Sequence, residues 1–273
     1  MSMTEKFLIC IDLDGTLLRD DKTISEETKK YLRFLETQGH YVCLTSGRPT
    51  YNVKKYYDEI GLKSSPIISF NGHLAKNLEK NIEYLSHYFS KEEVLSLYET
   101  LRANNLGSTF LVMNENKIFV TKKDDFLLAF YSSNETEINI SENFENIFNI
   151  DSVLNIVFSL NSFNDKERTI KLINENFPNY DPRFWGDYPF CEIYKKGVSK
   201  SNSIDELASV LNIKSDHIIV FGDAQNDYEM IKNHPNNYVM KNGLDRLKNI
   251  AKNVTEFDNN NDGVLVELKK IFS

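Results

Sequence analysis

The sequence predicts an α/β fold in which an open parallel sheet is interrupted by an inserted α+β domain. Near both ends of the chain, apolar runs of strand length alternate with helical segments, a pattern that is typical of parallel βαβ units. The middle of the chain instead mixes hairpin signals with helices. We therefore predict a core domain formed by residues 1–81 and 188–273, with residues 82–187 inserted as a second domain.

The N-terminal region shows the alternation of strands and helices first. Residues 6–11 are largely apolar and predict a strand that is buried on both faces. Ser25 can cap the helix that follows, and Gly39 ends it. The next predicted elements are a strand at Tyr41–Thr45, a helix at Thr50–Ile60 and a strand at residues 66–70.

The middle and C-terminal regions differ from each other in pattern. Asn114 and Asn116 lie in a turn that predicts a β-hairpin. Strands of this middle region are predicted at residues 108–113, 117–122 and 153–160, with one or two more within 184–194, and helices at residues 91–104, 124–132 and 165–177. Alternation then returns with strands at residues 217–221 and 238–240 and with helices that begin at Ser199, after Asn226 and at Leu244.

The composition excludes several classes of partner. Asp and Glu number 40 against 32 Lys and Arg, so the net charge is −8. Nucleic acids and anionic membranes select basic surfaces, so we expect neither as a partner. The N-terminal apolar run is cut by Asp12 and is too short for a signal peptide or a membrane span, which predicts a cytoplasmic protein. The sequence leaves the oligomeric state open.

The cysteines indicate the same compartment. Cys10, Cys43 and Cys191 are odd in number and form no CxxC pair. Cys10 and Cys43 lie inside predicted strands. Buried free thiols in a reducing cytoplasm are therefore favoured over a disulfide or a zinc site.

Polar residues follow the predicted strands of the core, where an open parallel sheet binds its ligands. Each of these segments alone could be an ordinary turn. The first is more specific, because an Asp-x-Asp-Gly-Thr string should occur by chance in about one chain in several hundred of this length. The four segments are residues 12–16, 45–48, 71–72 and 222–227.

Residues 12–16, 46–48 and 222–227, together with Lys200, resemble in chain order the four motifs of the haloacid dehalogenase superfamily. The insertion resembles the type IIB cap of the Cof-type phosphatases, as do residues 71–72, 192–200 and 262–264. The resemblance implies a Rossmann-like parallel-sheet core with an inserted α+β cap domain. It also implies a Mg²⁺-dependent phosphatase that hydrolyses a small phosphorylated metabolite, such as a sugar phosphate, through an aspartyl-phosphate. The motif residues are Asp12, Asp14, Gly15 and Thr16, then Ser46, Gly47 and Arg48, then Lys200, and finally Gly222, Asp223, Asn226 and Asp227.

The resemblance assigns a role to each motif residue. Asp12 is the nucleophile, and Asp14 is the general acid and then the base, which requires a raised pKa of the kind that a crowded acidic pocket supplies. A cation must screen a carboxylate that attacks a phosphate, and oxygen ligands suit Mg²⁺ better than zinc. The expected metal ligands are Asp12, Asp14 through its backbone carbonyl, Asp223, Asn226 and Asp227. The expected phosphate-binding residues are Ser46, Gly47, Arg48, Asn71 and Lys200.

Several alternatives stay open at this point. Arg48 has a second interpretation, in which it braces its own loop rather than binding phosphate. Trp185 and Asp187 lie near the return from the cap to the core and are candidates for substrate contact, whereas most other cap aromatics are expected to form its core. The competing functions are a phosphomutase or other phosphotransferase and a non-catalytic module that binds a phosphorylated ligand. Dehalogenation is disfavoured, because that reaction has no leaving alcohol for Asp14 to protonate.

Overall fold

The computed structural model describes residues 5–134, 136–142, 151–186 and 188–273. The chain divides into two compact units. The core unit combines the segments Met1–Ser86 and Ser199–Ser273, and the inserted unit is His87–Val198.

The described residues contain the following regular elements, numbered in chain order. The strands are β1 (Leu8–Asp12), β2 (Tyr41–Thr45), β3 (Ile67–Ser69), β4 (Leu74–Asn77), β5 (Ile82–Ser86), β6 (Phe110–Met113), β7 (Lys117–Val120), β8 (Glu137–Ile140), β9 (Asn155–Ser159), β10 (Tyr180–Phe184), β11 (Phe190–Lys195), β12 (Ile218–Gly222), β13 (Asn236–Val239) and β14 (Asn253–Val254). The helices are α1 (Glu26–Thr37), α2 (Thr50–Ile60), α3 (Lys91–Ala103), α4 (Asp125–Tyr131), α5 (Asp165–Asn176), α6 (Lys200–Val210), α7 (Tyr228–Asn233), α8 (Asp245–Lys248) and α9 (Gly263–Ile271).

The core unit is built on an eight-stranded sheet in the order β14-β13-β12-β1-β2-β3-β4-β5. The strands from β14 to β3 are parallel, and β4 and β5 add an antiparallel edge. Alternate side chains of β1 point to opposite faces. Ile9 and Ile11 pack with α1, α2 and α9, whereas Leu8 and Cys10 pack with α6 and α7. Helices cover both faces, which confirms the predicted α/β class.

The inserted unit is built on a six-stranded sheet in the order β10-β11-β9-β6-β7-β8. Its pairs are antiparallel except for β7 with β8. Helices α3 and α5 pack on one face of this sheet, where Leu97 and Ile173 join Phe158 in a buried cluster. The hairpin expected at Asn114 and Asn116 is present as β6 and β7.

The unit boundaries differ from the predicted ones at both ends. Residues 82–86 stay with the core because β5 pairs with β4 at the edge of the core sheet. Residues 188–198 belong to the inserted unit because β11 pairs with β9 and β10. Hydrogen bonding between paired strands sets both positions, and no composition change marks either one.

Two smaller expectations can be compared with the structure. All three cysteines are free and buried, as predicted, although Cys10 and Cys43 are register partners on neighbouring strands. In the described parts of the chain, no helix is both long enough and apolar enough to cross a membrane.

Candidate active site

Strand β1 ends at a tight turn that separates Asp12 from Asp14. The Leu17 N–H donates to the Asp12 carbonyl at 3.1 Å, which folds the chain back over the end of the strand. Gly15 adopts φ +78°, and a Cβ at this position would lie 2.4 Å from Asp223 Oδ2. Only glycine accepts both this backbone conformation and this close approach. The turn therefore brings the first motif directly against the last.

Three buried or half-buried carboxylates meet at this edge of the sheet. Asp12, Asp223 and Asp227 each offer an oxygen, and these oxygens lie within 4.8 Å of one another. Both oxygens of Asp227 are already engaged. Its Oδ2 accepts the N–H groups of Asp223 (2.9 Å) and Ala224 (3.0 Å), and its Oδ1 accepts from Lys200. Asp227 therefore supports the loop after β12 while adding negative charge to the cluster.

Lys200 supplies the positive charge inside this cluster. Its side chain is 1% exposed, and Nζ donates to Asp12 Oδ1 at 2.5 Å and to Asp227 Oδ1 at 2.7 Å. Burial alone would lower the pKa of Lys200, but the charges of Asp12 and Asp227 outweigh burial and raise it. Lys200 is the first residue of α6, capped by Ser199. The helix dipole disfavours a cation there, and the two carboxylates compensate for it.

The cluster contains more negative than positive charge. Burial raises the pKa of Asp12 well above its usual range, and the charges of Asp227 and Asp223 add to this effect against that of Lys200. Burial and the charge of Asp227 also raise the pKa of Asp223 to about 7. An additional cation would relieve this repulsion.

The donor set fits a hard divalent cation. Oxygen is the donor atom of all three side chains, and this is the ligand type that Mg²⁺ prefers. Among the described residues, Asp12 Oδ2 and Asp223 Oδ2 accept no hydrogen bond, so both oxygens are available to a metal. Asp223 Oδ1 is held by the Thr16 hydroxyl at 2.8 Å, which fixes the orientation of that carboxylate.

Asp14 lies in a different environment from Asp12. Its oxygens accept from Arg48 Nε and Arg48 Nη2, both at 2.6 Å, and from Lys22 Nζ at 2.8 Å. Burial acts to raise the pKa of Asp14, but the hydrogen bonds from Arg48 and Lys22 outweigh it and lower the pKa. The expectation of a raised pKa for Asp14 is therefore wrong for this arrangement, because two cations donate directly to its carboxylate.

The second motif and Asn71 form one hydrogen-bonded group. Asn71 N–H donates to the Ser46 carbonyl at 3.0 Å, and Asn226 Nδ2 donates to Asn71 Oδ1 at 3.1 Å. A Cβ at Gly47 would lie 2.8 Å from the Asn71 amide, so this packing requires glycine. The Ser46 Oγ accepts the Arg48 N–H at 3.2 Å, which leaves its hydroxyl proton free to be donated. The structure thus places Ser46, Gly47, Asn71 and Asn226 side by side.

The remaining candidate residues are Arg48, Trp185 and Asp187. The Arg48 guanidinium binds Asp14 of the loop after β1, so in this structure it neither braces its own loop nor forms a free phosphate fork. Trp185 lies in the inserted unit, where Nε1 donates to Glu192 Oε2 at 3.3 Å and the ring packs against Phe130 and Tyr131. Asp187 lies outside the described residues.

Known proteins share both this sequence and this fold. A family model described as haloacid dehalogenase-like hydrolase matches residues 9–268. The chain belongs to this family. The resemblance inferred from the motifs is therefore confirmed, and so is the expectation of a phosphoric monoester hydrolase rather than a non-catalytic binding module.

Relatives of this haloacid dehalogenase-like hydrolase match it over nearly the whole chain. It is 31% identical over 278 aligned residues to the 5-amino-6-(5-phospho-D-ribitylamino)uracil phosphatase of Bacillus subtilis strain 168, covering 99% of each protein. A crystal structure of a haloacid dehalogenase-like hydrolase from Bacteroides thetaiotaomicron has a TM-score of 0.83 at 25% identity, covering 98% of this chain and 100% of that chain. A haloacid dehalogenase-like hydrolase from B. subtilis has a TM-score of 0.79 at 24% identity, covering 96% of this chain and 98% of that chain. This similarity supports the fold alone.

Two contacts in the site are not anticipated by the sequence of this hydrolase. Thr16 belongs to the first motif, but its hydrogen bond to Asp223 becomes visible only when the two strand ends meet. Lys22 follows two aspartates in a segment that reads as an ordinary charged loop. No spacing rule connects Lys22 with Asp14, so only the folded chain shows their contact.

Proposed function

We propose that this hydrolase is a Mg²⁺-dependent phosphatase of small phosphorylated metabolites that acts through an aspartyl-phosphate on Asp12. The observation that carries the proposal is the cluster of Asp12, Asp223 and Asp227, in which the ammonium group of Lys200 binds Asp12 and Asp227. Three carboxylates face one fixed cation, an excess of negative charge that a divalent ion balances. We also propose a cytoplasmic location, which agrees with the three free thiols.

Asp12 is the proposed nucleophile. Lys200 holds Asp12 Oδ1, whereas Oδ2 accepts no hydrogen bond from the described residues. One of these two oxygens attacks phosphorus, and the other would hold the metal ion. Attack on phosphorus forms the aspartyl-phosphate and breaks the bond to the leaving alcohol. The ammonium group of Lys200 also offers its charge to the phosphoryl oxygens. Water then cleaves the aspartyl-phosphate, releasing inorganic phosphate and regenerating Asp12.

The acidic cluster is the proposed Mg²⁺ site. The carboxylates of Asp12 and Asp223 and the backbone carbonyl of Asp14 would hold the ion, while Asp227 and Asn226 support the ligands. When bound, Mg²⁺ screens the repulsion between a carboxylate nucleophile and a phosphate dianion. The hydrogen bonds to both oxygens of Asp227 favour a supporting role for that residue.

Asp14 is the proposed acid–base residue. With its pKa lowered by Arg48 and Lys22, Asp14 is ionised at neutral pH and suited to accept a proton from the hydrolytic water. To protonate the leaving alcohol in the first step, it must carry a proton, which these contacts oppose. The contacts therefore support the base role more directly than the acid role.

The remaining motif residues form the proposed phosphate-binding group. Ser46 offers its hydroxyl, Gly47 its backbone N–H and Asn71 its side-chain amide to the phosphoryl oxygens. Arg48 holds Asp14 in this structure, so its contribution to phosphate binding would require a change of partner.

The relative from B. subtilis suggests a specific substrate. Because the similarity covers both proteins nearly completely, we propose 5-amino-6-(5-phospho-D-ribitylamino)uracil as the first compound to test. This compound is a phosphate monoester of a polyol chain, so it fits the proposed chemistry. Trp185 and Asp187 remain proposed contacts to the part of the substrate beyond the phosphate.

The test is hydrolysis of this compound and of a panel of sugar phosphates, with Mg²⁺ or with EDTA. We expect Mg²⁺-dependent release of inorganic phosphate. Product analysis also addresses the phosphomutase alternative, which would yield an isomerised sugar phosphate without free phosphate. Release that is equally fast in EDTA would contradict the metal dependence, and isomerisation would replace the phosphatase with a mutase.

A further inference from the structure

The loop after β1 contains a lysine in an uncommon backbone conformation. Lys22 adopts φ +64°, a region that residues other than glycine rarely occupy. Its N–H donates to the Arg19 carbonyl at 2.9 Å, and the Arg19 N–H donates to the Thr23 carbonyl at 3.0 Å. These two hydrogen bonds close a tight turn at residues 19–23.

The C-terminal segment of the core anchors this turn. Arg19 Nη2 donates to both oxygens of Asp262, at 3.0 and 3.2 Å. The Asp20 N–H donates to Asn260 Oδ1 at 3.0 Å, and Asn259 Nδ2 donates to the Leu18 carbonyl at 2.9 Å. A strained conformation persists only where surrounding contacts hold it. The anchor therefore fixes the position from which the side chain of Lys22 extends.

From this position Lys22 reaches the proposed acid–base residue. Its Nζ lies 2.8 Å from Asp14 Oδ1, the oxygen that also accepts from Arg48 Nη2. Three charge-assisted hydrogen bonds thus restrain a carboxylate whose side chain is 43% exposed. An isolated surface ion pair contributes little to stability, so the significance of this pair lies in the orientation of Asp14.

We propose that Lys22 is a positioning residue that holds the Asp14 carboxylate, together with Arg48, in the orientation needed for proton transfer. This inference rests on the proposed function, because it presupposes that Asp14 transfers protons. Lys22 acts here through Asp14 and not by binding substrate. Its removal should therefore affect turnover more than substrate binding.

The test compares Lys22→Met with wild type on two alkyl monoesters, glycerol 3-phosphate and 5-amino-6-(5-phospho-D-ribitylamino)uracil. We expect kcat to fall about threefold to tenfold while KM changes less than about twofold. Lys22→Arg should restore kcat to within about twofold of wild type, because guanidinium also donates to a carboxylate. Lys30→Met, at an exposed lysine of α1 in the same unit, is the matched control and should match wild type.

Lys22→Met in an Asp14→Asn background distinguishes an effect of Lys22 through Asp14 from direct binding of the substrate by Lys22. If Lys22 acts through Asp14, Lys22→Met should change the residual kcat of Asp14→Asn by less than about twofold. An unchanged kcat in Lys22→Met alone would overturn the positioning role, and so would a raised KM that persists in the Asp14→Asn background. Absence of Mg²⁺-dependent turnover by wild type in the same assay would instead count against the proposed function.

Discussion

The core and the inserted unit both bury carboxylates, but they accommodate the charge in different ways. In the core, the carboxylates of Asp12, Asp223 and Asp227 lie close together, and the ammonium group of Lys200 binds Asp12 and Asp227. In the inserted unit, Glu192 is 5% exposed and accepts from neutral donors, Trp185 Nε1 and Tyr194 OH, both at 3.3 Å.

This difference shows which cluster needs a further cation. Burial raises the pKa of Glu192 to about 7, and its hydrogen bonds from Trp185 and Tyr194, together with the charge of Arg183, oppose the shift. A single proton is enough to neutralise that site. In the core cluster, burial raises the pKa values of Asp12 and Asp223, and repulsion between the carboxylates raises them further. A divalent ion can relieve that repulsion without abolishing the charge of the nucleophile. We therefore expect metal dependence in the core cluster and pH dependence in the cluster around Glu192.

The largest expected effect on stability is that of Lys200→Met. This substitution leaves the carboxylates of Asp12 and Asp227 buried without their cation, and we expect the free energy of unfolding to fall by about 3–5 kcal/mol in EDTA. Urea denaturation at pH 7 measures it. Lys30→Met serves as the control for loss of a lysine, and a loss below about 1 kcal/mol for Lys200→Met would contradict the charge balance described for this cluster.

The second largest expected effect is that of Mg²⁺ on stability, which should depend on the core cluster and not on Glu192. At a concentration a hundred times its Kd, a ligand that binds only the folded state adds about 2.7 kcal/mol to stability. We expect a rise in Tm with Mg²⁺ for wild type and for Glu192→Gln, and a much smaller rise for Asp223→Asn. Differential scanning calorimetry with MgCl₂ or EDTA measures these shifts. Equal shifts in all three proteins would place the ion elsewhere.

The smallest effect concerns the pH dependence of Glu192. Its pKa is about 7 in the folded chain against an ordinary value of 4.5, so the folded state holds the proton more tightly and loses stability as pH rises between these values. Glu192→Gln removes this loss. Its stability relative to wild type should rise by about 2–3 kcal/mol from pH 5 to pH 8.

Chemical denaturation at several pH values follows this difference. Glu99→Gln, at an exposed glutamate of α3 in the same unit, is the matched control and should show little change with pH. A constant difference between Glu192→Gln and wild type would mean that Glu192 does not titrate in this range.

Local signals made much of the fold predictable. Strand β2 and helix α2 have the predicted bounds, and Ser199 caps α6 where a helix was expected to begin. Strands β5 and β8 were not predicted, because their side chains are mostly exposed or half-buried and show little apolar periodicity. Strand β8 joins its sheet by pairing with β7, a partner that the local sequence does not reveal.

The sequence predicted which residues form the candidate site better than it predicted how their charges interact. The motifs name Asp12, Lys200 and Asp223, and the strand ends bring them together. The pKa of Asp14 depends instead on which groups face it. Lys22 reaches Asp14 through a loop anchored on the C-terminal segment. Asp262 of that segment belongs to a stretch that carries the family resemblance, but nothing in the sequence connects it with Arg19.

The most direct test of the central claim is chemical trapping of the phosphorylated nucleophile. Asp14→Asn should slow the hydrolysis of the aspartyl-phosphate, because Asn cannot accept a proton from water. After rapid acid quench of this variant with substrate and Mg²⁺, peptide mass spectrometry should find one phosphoryl group on Asp12. The Asp12→Asn variant should show neither this group nor turnover, while remaining folded. A phosphoryl group on a residue other than Asp12, or full activity of Asp12→Asn, would contradict the account.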